Sequence, residues 1–94
     1  MKNTTLEEVT AYLEEHFPAA ELQVEKAPED DDVMVTIKAG SLTYILRVTH
    51  EFLEDCRPQE VKMIVNWLNL AAELKRAEGT PMVLTEHGIR TETA

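Results

Sequence analysis

The chain is poor in cysteine, glycine, basic side chains and long apolar runs, and each shortage removes a class of function. A single cysteine, Cys56, allows no internal disulfide and no multi-cysteine zinc site, so stability must come from packing. The three glycines, Gly40, Gly79 and Gly88, stand too far apart to build a phosphate-cradling loop. No run of about 18 apolar residues offers a membrane span, and the N-terminus turns acidic at Glu7 and Glu8 where a secretory signal needs an apolar stretch. A cytoplasmic chain without membrane contact is the expectation. Nine basic side chains against eighteen acidic ones leave a formal charge of −9, which disfavours coating a phosphate backbone. Direct nucleic-acid binding is not expected.

What is present is 94 residues at 44% hydrophobic, enough for one core and too few for two, so residues 1–94 read as a single domain. The charge is uneven. Residues 1–32 carry ten acids against Lys2 and Lys26, a net −8, whereas residues 33–94 carry eight acids and seven bases, a net −1. Within the first part, Glu29, Asp30, Asp31 and Asp32 form an acidic loop after Pro28 that reads as a solvated, anionic surface able to attract a basic partner. It lacks the alternating oxygen ligands and the glycine of a calcium loop, so no cation is assigned to it.

Periodicity then supplies the elements. Thr4 and Thr5 each precede a glutamate by three residues, the spacing of a capping box, and Leu6, Val9, Leu13 and Phe17 follow at helical steps until Pro18. From Glu21 the period becomes two: Leu22 and Val24, then Val33, Val35 and Ile37, then Leu42, Tyr44, Leu46 and Val48 alternate with polar residues. Ala39-Gly40-Ser41 makes the second and third of these strands a hairpin. Pro58 opens a long helix, with Asp55 or Cys56 placed to cap it, and Gly79 closes it. A short strand follows at residues 81–85, and His87-Gly88 turns the chain into a closing segment at 89–91. The predicted class is α+β, in the order α-β-β-β-α-β, with an antiparallel sheet of three to five strands and two helices on one face.

The helix over residues 58–78 carries the sharpest expectation. Wound without interruption, it places Val61, Ile64, Val65, Leu68 and Ala72 on one apolar stripe and Met63, Trp67, Leu70 and Leu74 on a second, roughly opposite one. A sheet can cover one stripe only. The first helix could cover the other from within the chain; the preferred reading is that a second copy does, making Met63, Trp67, Leu70 and Leu74 a homodimer interface.

Catalytic patterns are faint. His50, Glu51 and Glu54 match HExxE, one histidine short of a zinc-protease motif. Cys56 near a helix start, with His50 close in sequence, is the only nucleophile candidate. No cofactor or metal is assigned. In element order alone the chain resembles double-stranded RNA-binding domains, which implies a basic start to the second helix, but Arg57-Pro58-Gln59-Glu60-Val61-Lys62 is mixed in charge. It also looks like type III secretion chaperones in outline, which implies a dimer that holds a partner protein. The expected function is thus a non-enzymatic interaction module that homodimerises through its second helix. The alternatives are an acidic nucleic-acid mimic or chaperone-like inhibitor binding a basic protein, and a small enzyme using Cys56 or His50.

Overall fold

The computed structural model describes residues 4–26, 31–77 and 79–91. Its fold is α+β. Helix α1 (Thr4–His16) is followed by strands β1 (Glu21–Lys26), β2 (Val33–Ala39) and β3 (Leu42–Val48). Three helices then succeed one another, α2 (His50–Asp55), α3 (Pro58–Leu68) and α4 (Leu70–Ala77), before strands β4 (Met82–Thr85) and β5 (Gly88–Thr91). The five strands form one sheet in the order β1-β2-β3-β4-β5.

The meander follows its expected register. Ala39 pairs with Leu42 across a two-residue turn in which Gly40 takes a φ of 67°, a conformation that favours glycine. One pairing departs from the all-antiparallel expectation: β3 and β4 run parallel. The helices between them cross the sheet face and return the chain to the same end, so the next strand must point the same way.

Val33, Val35, Ile37, Tyr44, Leu46 and Val48 line one face of the sheet and bury against Val9, Tyr12 and Leu13 of α1 and Val61 and Val65 of α3. That apolar core is where strand alternation and the helical stripes meet. Helix α1 begins close to its expected start, yet Thr5 is the second residue of the helix rather than its cap. Its buried hydroxyl donates to the Cys56 carbonyl at 2.8 Å and ties α1 to the α2–α3 junction.

The long helix does not run through. Asn69 stands in the left-handed region, φ 60° and ψ 45°, and separates α3 from α4. Asparagine adopts this geometry more readily than most residues because its short polar side chain costs little there. The break shifts the helical phase, and both predicted stripes change sides across it. Seven residues at about 100° each place Leu74 within about 20° of Trp67 on an unbroken helix, but Trp67 is 83% exposed and Leu74 1%. Val65 and Ala72 reverse in the opposite sense, buried before the break and exposed after it. Leu70 and Leu74 therefore belong to the chain's own core, which corrects their assignment to a dimer interface. The amide of Ala71, which a continuous helix would pair with the Trp67 carbonyl, donates instead to the Tyr12 hydroxyl at 3.2 Å.

Candidate functional site

Helix α2 is short because its ends are fixed closely together. The Thr49 hydroxyl caps it by accepting from the Phe52 amide at 3.2 Å, and the Cys56 amide closes it on the Phe52 carbonyl at 3.0 Å. Asp32, just before β2 and beside the exit of β3, anchors the start of α2. One carboxylate oxygen accepts from the His50 amide at 2.8 Å and the other from Arg47 Nε at 2.8 Å. Only 9% exposed, Asp32 is a structural tie between the entry to β2, the exit of β3 and α2. This removes it from the predicted acidic surface. Asp31 does lie on the surface, 3.2 Å from Lys26 Nζ, while Glu29 and Asp30 lie outside the described residues.

With α2 held in this way, a groove of about 390 Å³ opens between the α2–α3 junction, α3 and the β4–β5 turn. Phe52, Ile64 and Leu68 form its apolar floor, and Trp67 stands at its edge. The opposite wall is the turn itself. Thr85 pairs with Gly88 across Glu86 and His87; the Thr85 hydroxyl accepts from the His87 amide at 3.0 Å and donates to the Gly88 carbonyl at 3.1 Å. Gly88 has a φ of 128°, and a Cβ built there would lie 3.8 Å from Leu68, so its backbone packs directly against the floor. Asp55, Glu60 and Glu86 bring three carboxylates to the lining, Glu86 with the His87 ring nitrogen 3.2 Å away, and no lysine or arginine is among the described residues there.

Met63 lies one helical turn before Trp67 and is 65% exposed. Single exposed apolar side chains are ordinary on a protein surface, as Val24 on β1 and Leu42 at the start of β3 illustrate. Trp67 differs because it lines an apolar-floored groove, with Met63 one turn away on the same helix. Of the four predicted interface residues, then, the structure leaves two on the surface, Met63 and Trp67, and groups Phe52, Ile64 and Leu68 with Trp67 in the groove.

The catalytic candidates do not converge. Cys56 lines the groove, but burial pushes its thiol pKa up and the nearby Glu60 carboxylate adds to this, opposite to the lowering a helix start could give. Its Sγ faces the Arg57 carbonyl at 3.7 Å. His50 and Glu54 of the HExxE pattern pair with each other, Nε2 to Oε1 at 3.1 Å. Among the described residues no three His, Cys, Asp or Glu side chains are gathered closely enough to hold a metal ion, and no helix is long and apolar enough to cross a membrane.

The groove escaped sequence reading because its parts come from residues 52–68 and 85–88, and no local period joins them. Two local signals were nevertheless available. Thr49 stands three residues before Phe52, the spacing of a side-chain cap that starts a short helix, and Asn69 is a candidate left-handed residue inside an otherwise helical pattern. Comparison with family models, curated protein sequences and solved structures finds no match to this chain.

Proposed function

We propose that this protein is a non-catalytic interaction module that docks a partner protein on α3, around Met63 and Trp67. The observation that carries this reading is the position of Trp67. The residue is left 83% exposed at the edge of a groove whose floor is already apolar, where burial of both would gain about 25 cal/mol per Å². Tryptophan and methionine are enriched at protein contacts for this reason, and the best-buried tryptophans dominate their energetics. The raised Cys56 pKa supports a non-catalytic reading, as does the pairing of His50 with Glu54 while the thiol faces the Arg57 carbonyl, an acceptor that cannot activate it as a base would.

A second reading takes the partner to be another copy of the chain. Met63 and Trp67 lie one turn apart on α3, so two such helices can cross about a two-fold axis through that pair.

Two measurements test the module reading. Light scattering decides between a mass of 10.7 kDa and twice that value. A photo-reactive residue at position 67, introduced in the cells that make the protein, is expected to crosslink to a defined protein that the same group at position 23 does not capture. Position 23 lies on the exposed β1 edge strand, at the far side of the sheet from the groove. A monomer mass together with identical crosslinking from both positions overturns the reading.

A further inference from the structure

The groove beside Trp67 has a chemistry that selects among occupants. We infer that it receives a short amphipathic segment of a partner protein, one that inserts apolar side chains flanked by lysine or arginine; this rests on the interaction-module reading.

Two independent features define the occupant. The floor of Phe52, Ile64 and Leu68 accepts only apolar groups, because a polar group set against it would lose water and gain no hydrogen bond. The rim carries Asp55, Glu60 and Glu86; His87 lies 3.2 Å from Glu86, and the described lining residues include no lysine or arginine. Three carboxylates around a partly desolvated groove repel an anionic visitor and draw in a cationic one. Trp67 adds a large aromatic face at the edge, against which a guanidinium or ammonium group stacks favourably. An apolar side chain entering the floor thus places its basic neighbours over the rim and the ring.

The same features disfavour the other occupants. A second copy crossing at Met63 and Trp67 would bring its own Asp55, Glu60 and Glu86 towards the same three carboxylates, in a molecule whose formal charge is already −9. A nucleic-acid backbone would set phosphates against them.

Trp67 is the only tryptophan, so its emission reports this site alone. The probes are a synthetic amphipathic peptide of leucine and lysine, and its counterpart with glutamate for each lysine. The Leu/Lys peptide is expected to shift Trp67 emission to the blue in a saturable way; the Leu/Glu peptide is not. Reversing the rim charge with Glu60→Lys and Glu86→Lys is expected to weaken binding about tenfold or more, the effect of removing contacting charges. Glu14→Lys with Glu25→Lys makes the same change in net charge on exposed positions of α1 and β1. It is expected to weaken binding less than about threefold, because those charges act at longer, screened range.

Equal weakening by the two pairs, equal binding of the two peptides, or no binding of the Leu/Lys peptide overturns the inference. So does a blue emission from Trp67 in the free protein together with a doubled mass, which assigns the groove to a second copy. If the rim reversal unfolds the chain by circular dichroism, Glu60→Gln with Glu86→Gln replaces it, with about threefold weakening expected and none overturning the inference. A specific crosslink from position 67 alongside failed peptide discrimination leaves the module reading standing and removes only the basic segment.

Discussion

Asp32 illustrates how one side chain can change meaning between sequence and fold. Last of four consecutive acids, it is chemically identical to its neighbours Asp30 and Asp31, and no spacing singles it out. Its partners, Arg47 and the His50 amide, lie 15 and 18 residues further along the chain. Only the β2–β3 hairpin and the following turn bring them to it, so the distinction is written in tertiary contacts. Both bonds are charge-assisted and largely shielded from water, which makes them stronger than surface pairs such as Lys26–Asp31. Asp32→Ala is therefore expected to destabilise the fold by about 2–3 kcal/mol, since it withdraws two acceptors from a part-buried guanidinium and a helix-start amide. In a chain this short that lowers the thermal midpoint by roughly 10–20 °C, measured by circular dichroism. Asp32→Asn keeps one acceptor for the His50 amide and should fall between the two. A midpoint unchanged in the alanine variant would return Asp32 to the solvated surface. Cys56 makes the parallel point: a helix start nearby suggested a lowered thiol pKa, but burial and the Glu60 carboxylate set the direction.

At the scale of elements, the signals that held were local ones. Pro18 ends α1 within a residue of its expected limit, Gly40 makes the β2–β3 turn, and residues 81–91 form the closing hairpin. Each depends on neighbours a few positions apart. The parallel β3–β4 pairing and the division of the long helix at Asn69 were not legible, because both are settled by where distant elements lie. At Asn69 the helical pattern of residues 58–78 is unbroken in composition, and an uninterrupted helix is locally acceptable. What the continuous form cannot do is bury Leu70 and Leu74 while Val61 and Val65 face the sheet. The break resolves that conflict, and the Tyr12 hydroxyl satisfies the Ala71 amide at the new helix start. The break also leaves Trp67 outside, so the candidate site is a by-product of how the core is filled. Asn69→Gly should leave stability within about 0.5 kcal/mol, because glycine takes a positive φ freely and gives back some of that gain in chain entropy. Asn69→Val should cost about 2 kcal/mol, since a β-branched side chain is strained there. Denaturant unfolding of the two variants checks this. A valine variant as stable as the parent would mean that the helix runs through position 69 and that the exchange of stripes does not occur.

Seen as a whole, the molecule divides its surface unequally. The helices cover one sheet face, while the other carries Glu21 opposite Lys38, and Arg47 and Arg90 on either side of Val83. Elsewhere, on α1, on β1 and at the groove, exposed acids outnumber lysines and arginines, and the chain as a whole is nine charges negative. Like charges at this density oppose compaction, and the opposition falls as added ions shorten the Debye length from about 30 Å at 0.01 M to about 8 Å at 0.15 M. The attractive pairs respond in the other direction. Asp32–Arg47, being largely shielded, is screened least, whereas Lys26–Asp31 is exposed and contributes little at any salt concentration. Repulsion is therefore the part of the electrostatics that salt mainly removes. The thermal midpoint is expected to rise by a few degrees between 0.01 M and 0.15 M sodium chloride. Glu14→Gln with Glu25→Gln, on exposed positions outside the groove lining, should raise it at low salt by a similar amount and flatten its dependence on salt, the effect being about 0.5 kcal/mol. Scanning calorimetry of both proteins across that range measures the slope. A midpoint that falls with salt in the parent would show that attractive pairs outweigh the excess of acid. The carboxylates around the groove would then belong to a balanced surface, with no net pull on a basic segment.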